Sequence, residues 1–375
     1  MTRRVAMNLL WCVPGVGGSE EYLVRQLIGL REIRHDYSVE VFAPRGFAQR
    51  HPGVAASYAV HEAPSDCSRR AVRIALEHSW LASRTRKFDI VHHGGGTLPR
   101  GGGPVTVLTV HDVQWTEYPQ YVTPVKRRYL SRVVPSSLRR ATRVVVPTHF
   151  VADTLVANFG ESFRRVGVVR HGIETSLVDD AATESDLRQR FGLGSGPVLV
   201  FPGITHPHKN HEFLLNQMAT GNDSWRDPSL RIVFAGSAGS HDEHVRDVIA
   251  RLGLADRVAM PGRVSARDRN GLLKMADAMV FPSEYEGFGA PVIEAMMCAT
   301  PVISSDRGSL PEVVGDAGVV APLSVDAWNS ALVDARSRRD ELVAAGRRRV
   351  RTFTTALSAS DLVREYDLAL IEAAG

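Results

Sequence analysis

The sequence is short of the residues that mark several common protein classes. It holds three cysteines in 375 residues, Cys12, Cys67 and Cys298, far apart and with no Cys-x-x-Cys spacing. That argues against a disulfide framework and against a cysteine-based zinc site, and it fits a reducing compartment. No apolar run approaches the ~18 residues that span a bilayer as a helix. An excess of one charge sign is also missing. Lys and Arg number 45 against 41 Asp and Glu, a formal net charge of +4, too mild to argue for a nucleic-acid partner. Low-complexity tracts and short internal repeats are absent. The apolar start VAMNLLWCV, after Arg3-Arg4, imitates a signal peptide, but it is short, contains Asn8 and runs into Pro14-Gly15-Val16-Gly17-Gly18 without a small-x-small cleavage site. It reads as a buried first strand entering a glycine turn, and the expected location is the cytoplasm.

What is present is globular composition, 44% hydrophobic and 23% charged, with length for two domains. Short apolar runs alternate with helical patterns. Val5–Leu10, Ser38–Phe42, Ile90–Val91, Val105–Val110 and Val144–Val146 read as buried parallel strands, with helices over Ser19–Leu30 and Ser68–Ser83. The alternation breaks over the polar, acidic stretch Glu174–Gly196, which carries one amphipathic piece, Asp186–Phe191. It restarts at Val198–Phe201 and continues through Ile232–Phe234, Val258–Met260, Ala278–Phe281 and Val302–Ser304. The pattern predicts an α/β fold of two Rossmann-like domains facing across a cleft at the carboxyl ends of both sheets. A last apolar-periodic segment, Ala356–Ala373, reads as a helix. His92-His93-Gly94-Gly95-Gly96 reads as a further cleft loop; adjacent histidines on a strand point to opposite faces, so they make a poor metal chelate.

The stretch EYEGFGAPVIEAM, Glu284–Met296, has no obvious structural purpose. It follows the strand Ala278–Phe281, and Pro291 suits the first turn of a helix, where its missing N–H costs nothing. Gly287 and Gly289 let the backbone approach a ligand, and free N–H groups at a helix start favour an anion, most naturally a phosphate. Glu286 and Glu294 lie on either side of that anion position, and a carboxylate accepts hydrogen bonds from paired hydroxyls. A diphosphate with a sugar at each end, a nucleotide-sugar, fits this pattern. The same acids are also explained by a helix-dipole partner (Glu294) and a solvated loop acid (Glu286).

The surrounding residues decide between these readings. SEYEGFGAPVIEAM, with Glu286 and Glu294 separated by seven residues, resembles the signature of retaining GT-B glycosyltransferases of glycosyltransferase family four. The resemblance continues through CATPVISSDRGSLPEVVGDAGVV (Cys298–Val320), Gly203-Ile204-Thr205-His206-Pro207-His208-Lys209-Asn210 and VVRHGI (Val168–Ile173). It is dense in the second half of the chain and looser in the first. It implies the GT-B architecture, with an acceptor-binding domain at 1–174, a nucleotide-sugar donor domain at 175–353, and a helix at 354–375 that returns to the first domain.

By that resemblance, catalysis falls to His111, Lys209 and Glu286. Lys209 would meet the donor diphosphate, where an ammonium offsets leaving-group charge. His111, ending the strand VTVLTVHD, would meet the donor sugar, with Trp115, Tyr118 and Tyr121 toward the acceptor. Donor binding would involve Gly17, Gly18, Arg263, Val264, Gly287, Phe288, Gly289, Ala290, Pro291, Val292 and Glu294. Many relatives have an Arg where this chain has Ile204, so the second phosphate cation is open between Arg263 and Arg170; Arg263 also suits the nucleobase. As a dinucleotide fingerprint the first glycine turn fails, because Glu20 occupies the third glycine position.

The function implied is transfer of a hexosyl group from a nucleotide diphosphate sugar, GDP-mannose first, to an acceptor hydroxyl on a glycan, lipid-linked or small-molecule acceptor. Front-face substitution with retention is expected, without a metal or other cofactor, since no Asp-x-Asp stands at a strand end. Rival readings are a nucleotide-sugar epimerase on the same scaffold and a non-catalytic sugar-nucleotide-binding protein. The segment 124–143, PVKRRYLSRVVPSSLRRATR, carries seven basic residues and no acid. It suggests peripheral contact with an anionic membrane, although Pro135 is expected to split it and prevent one continuous helix.

Overall fold

The computed structural model describes residues 2–13, 18–100, 105–160 and 166–374. Contacts divide the chain into two units, 1–172 with 354–375, and 173–353. In the first, seven strands form one sheet: β1 (Arg3–Asn8), β2 (Tyr37–Ala43), β3 (Ala59–Glu62), β4 (Ile90–His93), β5 (Val105–Thr109), β6 (Arg143–Val146) and β7 (Gly167–Val168). Their order is β3-β2-β1-β4-β5-β6-β7, and every pairing is parallel. The second unit holds β8 (Val198–Phe201), β9 (Arg231–Phe234), β10 (Val258–Ala259), β11 (Ala278–Phe281), β12 (Val302–Ser305) and β13 (Val319–Ala321), in the order β10-β9-β8-β11-β12-β13 and again all parallel. Each is a doubly wound sheet. Central strands are buried at every position, as in β5, β8 and β11, which is why they read as continuous apolar runs.

Six helices matter for the sites: α1 (Gly18–Leu30), α2 (Pro124–Arg140), α3 (His211–Thr220), α4 (Asp242–Arg251), α5 (Ala290–Met297) and α6 (Thr355–Ala374). Helix α6 belongs to the first unit. Leu362, Tyr366 and Ala369 are fully buried in the cluster that also holds Leu23 and Leu27 of α1 and Val5 and Met7 of β1. Polar contacts fix its register. Arg143 Nε lies 2.7 Å from Glu365 Oε2, Arg170 Nε lies 2.9 Å from Asp361 Oδ2, and Tyr37 Oη donates to Asp367 Oδ1 at 2.6 Å. Where the chain leaves the first unit and where it returns, Ile173 N–H donates to Phe353 O at 2.7 Å.

Three expectations need correction. Helix α2 runs unbroken through Pro135. Val134 and Leu138, on either side of the proline, are buried in one apolar cluster, and that packing outweighs the single backbone hydrogen bond the proline removes. His92 and His93 lie on strand β4 rather than in a loop, and both are buried. They do face opposite ways: His92 Nδ1 meets Tyr366 Oη at 2.8 Å and its Nε2 meets Thr109 Oγ1 at 2.7 Å, whereas His93 Nδ1 sits 3.1 Å from Asn8 Nδ2. Arg170 pairs with Asp361, Nε to Oδ2 at 2.9 Å, with 42% of its side chain exposed. The expected helix over Ser68–Ser83 appears as Arg70–Thr85 with a widened π turn at Glu77–Leu81, which carries Glu77 inward to within 3.5 Å of Asn8.

Burial pushes His92, His93 and His171 of the first unit down to about 3. In the unfolded chain these groups titrate near ~6.5. Between those values the unfolded state binds protons that the folded state refuses, so stability is present above pH ~6.5 and is lost as pH falls toward 3. Denaturant unfolding from pH 7 to 4.5, above the carboxylate range, should show stability dropping by up to about 1.4 kcal/mol per pH unit for each such histidine. A flat profile would mean these imidazoles are not held neutral.

Candidate active site

In the second unit, Lys209 ends a short 3-10 turn, Pro207–Lys209, beyond β8. Asn210 follows with a left-handed φ of 57° and caps α3. Glu284 N–H donates to His208 O at 2.8 Å, joining this turn to the glycine loop beyond β11. Lys209 Nζ then reaches Glu286 Oε1 at 2.5 Å and lies 5.2 Å from the centre of the Phe281 ring. Both side chains are mostly covered, 17% and 12% exposed. The nearby His208 is pushed down to about 4, first by burial and then by the Lys209 charge.

The glycine loop is held from below by the loop after β12. Ser309 N–H donates to Glu286 O at 3.1 Å, and Ser309 Oγ donates to Phe288 O at 3.0 Å. Gly308 has φ +61°, and a Cβ there would lie 2.7 Å from Glu286 N and 2.8 Å from Glu286 O. Only glycine fits on both counts. Helix α5 then starts from Gly289 at φ 91°, with no side-chain cap and with Pro291 in its first turn. Its first backbone donors are thus not taken by a capping side chain. Phe288 and Val292 are buried in the core of the unit, and Val292 N–H donates to Gly289 O at 2.9 Å. Glu294, one turn on, is 7% exposed, with Oε2 3.5 Å from Arg269 Nη1. Arg263 stands on an exposed turn and forms no ion pair among the described residues; Val264 beside it is partly buried against the core.

In the first unit, His111 follows β5. Its Nε2 lies 2.9 Å from Gly94 O, and a carbonyl can only accept, so that nitrogen carries the proton. Burial pushes His111 down to about 4. The ring is therefore neutral near pH 7, with Nδ1 as an acceptor. Trp11 and Tyr22 pack on it at 5.3 and 5.4 Å between ring centres. His111 lines a cavity of about 240 Å³ together with Trp11, Asp112, Trp115, Lys126 and Leu130. Tyr118 and Tyr121 do not line it; they stack on each other at 5.5 Å. Gly18 is the first residue of α1, and Gly17 lies outside the described residues.

The structure thus brings Lys209, Glu286, Gly287–Val292 and Glu294 onto adjoining segments of one unit, and places His111 and Gly18 in the other. Gly308 and Ser309 were overlooked in the sequence, although DRGS is an ordinary turn signal. Arg269 carries no sequence signal at all, because only packing brings it to Glu294.

Two family models match the chain. The family described as "Glycosyl transferases group 1" matches residues 184–349, and "Glycosyltransferase Family 4" matches 16–177. The chain belongs to the group 1 glycosyltransferases. O-antigen chain mannosyltransferase B of Escherichia coli is 27% identical over 287 residues, 75% of this chain and 74% of that protein. The MMP alpha-(1->4)-mannosyltransferase of Mycolicibacterium hassiacum is 29% identical over 334 residues, 83% and 76% of the two chains. Among solved structures, Anabaena HepE in complex with UDP and glucose superposes with a TM-score of 0.74 at 17% identity, covering 98% of this chain and 100% of that one. WaaG, a glycosyltransferase involved in lipopolysaccharide biosynthesis, does so with a TM-score of 0.68 at 18% identity, covering 99% and 100%. At these identities the structural likeness establishes the fold, which is GT-B. In this glycosyltransferase, Gly308→Ala should displace the Glu286 backbone. The expected cost is about 1–3 kcal/mol in stability and a loss of donor binding out of proportion to it, checked by denaturant unfolding beside nucleotide titration. Ser309→Ala, which keeps the backbone bond, should do less.

Proposed function

We propose that this glycosyltransferase moves a hexosyl group, mannose in first place, from a nucleotide diphosphate sugar to an acceptor hydroxyl with retention of configuration and without a metal ion. The observation that carries the reading is the Lys209–Glu286 contact of 2.5 Å, set beside a helix start with no side-chain cap. Lys209 and the α5 start would take the diphosphate, stabilising the charge that develops on the leaving group. Glu294, with Arg269 steadying one oxygen, would accept the ribose hydroxyls. Glu286 would meet the transferred sugar, and the neutral His111 is the first unit's candidate for the reaction. The acceptor hydroxyl would attack from the face the diphosphate leaves, giving its proton to a departing phosphate oxygen. The names of the two mannosyltransferase relatives support mannose and hence GDP-mannose, and the UDP complex of Anabaena HepE makes UDP-sugars the next donors to try.

The test is a screen of nucleotide-sugars by thermal shift, followed by NMR of the product anomer. Glu294→Ala should weaken nucleotide binding about tenfold or more, since a charged hydrogen-bond partner is worth ~1.5–3 kcal/mol. Glu286→Ala should bind nucleotide and lose transfer. Unchanged affinity and turnover in both variants, or an inverted product, would refute the mechanism. Donor conversion without any acceptor would favour the epimerase reading.

Contact with an anionic membrane through α2 is a further part of the proposal. Lys126, Arg127, Arg128, Arg132 and Arg139 are exposed, and among the described residues no carboxylate pairs with them. A groove of about 660 Å³ runs beside Arg127 and Arg128 under Trp115. Val134 and Leu138 are committed to the core, so the attraction is electrostatic rather than insertion of an apolar face. Sedimentation with anionic vesicles should show binding at low salt that vanishes with added salt and in R127E/R128E. Failure to bind at low salt removes the membrane from the picture and leaves the transferase reading intact.

A further inference from the structure

Away from the glycine loop, three metal-ligating side chains of the second unit converge. Glu212 stands in the first turn of α3, His241 precedes α4 and His244 lies in its first turn. Their donor atoms all lie within 4.8 Å of one another. His244 Nε2 is 2.8 Å from Glu212 Oε2, and the two imidazole rings lie 4.2 Å apart. Arg251 Nη2 approaches the other carboxylate oxygen, Oε1, at 3.5 Å, which orients Oε2 toward the histidines. Glu212 and His241 are part-buried and the His244 side chain is 44% exposed, with room for small rotamer changes. Tetrahedral ligands at ~2.0–2.1 Å from an ion stand ~3.3 Å apart, so a modest inward swing of His241 closes the set. Two helix N-termini meet here, which by itself disfavours a cation. Glu212 and Glu243 offset that field, while Asp242 is engaged by Arg246 at 2.8 Å and by Thr205 at 2.9 Å.

The segment carrying His241 is tied to the loop that carries Lys209. His241 N–H donates to Thr205 O at 2.9 Å, Gly239 N–H donates to Thr205 Oγ1 at 2.7 Å, and His206 Nδ1 lies 3.2 Å from Ser240 Oγ. Glu212 follows Lys209 by three residues. An ion held here joins the two ends of that arrangement.

We propose that Glu212, His241 and His244 bind a first-row transition-metal dication of the zinc class, with water completing the shell, and that the ion staples the Lys209 loop to the start of α4. Two imidazoles and one carboxylate are the donor set zinc takes with an open position. The ion takes no part in sugar transfer, so the site stands or falls separately from the transferase reading.

Isothermal titration of zinc into the full chain should show one site whose affinity falls about tenfold or more in H241A, H244A and E212Q. The control H61A, which removes another exposed His–Glu pair, should bind zinc like the wild type. Cobalt(II) should give the visible spectrum of a tetrahedral nitrogen–oxygen site, lost in H241A/H244A. Equal melting temperatures without metal would establish that the variants fold. Hydrogen exchange of 204–210 should slow on loading in the wild type alone. Zinc affinity that survives H241A/H244A overturns the site, and binding without slower exchange in 204–210 overturns the staple.

Discussion

A lysine and a glutamate from separate loops meet at 2.5 Å, each mostly hidden from water. Either charge alone in that position would be costly, since a part-buried ion without its partner keeps its desolvation penalty. Much of the loop geometry in the second unit follows from this constraint. The His208 carbonyl accepts from Glu284, the left-handed Asn210 turns the chain into α3, and Ser309 supports Glu286 and Phe288 from beneath. In the function proposed above, an incoming diphosphate competes with Glu286 for the ammonium. On that proposal the pair would hold the loop in shape, and the carboxylate would turn toward the sugar once a phosphate took its place.

The first unit solves a different problem. His111 is held neutral and oriented, and its support begins far away in sequence. Tyr366 on α6 meets His92, His92 meets Thr109, and Thr109 ends the strand that leads to His111. Removing α6 would strip the cover from Leu23, Val5 and Tyr22, and would leave Arg143 without Glu365 and Glu372.

The strands that read most clearly in the sequence are those buried on both faces, such as Val198–Phe201 and Ala278–Phe281, where the observed and expected bounds coincide. Strand β3 was missed because it is an edge, largely exposed, with polar residues in AVHE. Strands β7 and β13 were missed because two or three residues leave no period to detect. The glycine loop was legible because Gly287, Gly289 and Pro291 have positional meaning that needs no tertiary knowledge. The partners that hold it were not. Arg269 reaches Glu294, and Lys209 reaches Glu286, only once the sheet is assembled. The break expected at Pro135 failed for the same reason: a local rule was overridden by packing at Val134 and Leu138.

The split of the first unit around the second sets an order of assembly. On the ribosome, residues 1–172 emerge first, but α6, which seals their core, is made only after 173–353. At ~5–20 residues per second, those roughly 180 residues delay the seal by about 10–35 seconds. Throughout that interval the groove awaiting Leu362, Tyr366 and Ala369 is open to water. The second unit, being continuous, can finish folding in the meantime. A nascent chain of this protein therefore passes through a half-closed stage with one completed unit and one sticky one, the stage at which a chaperone would find most to hold.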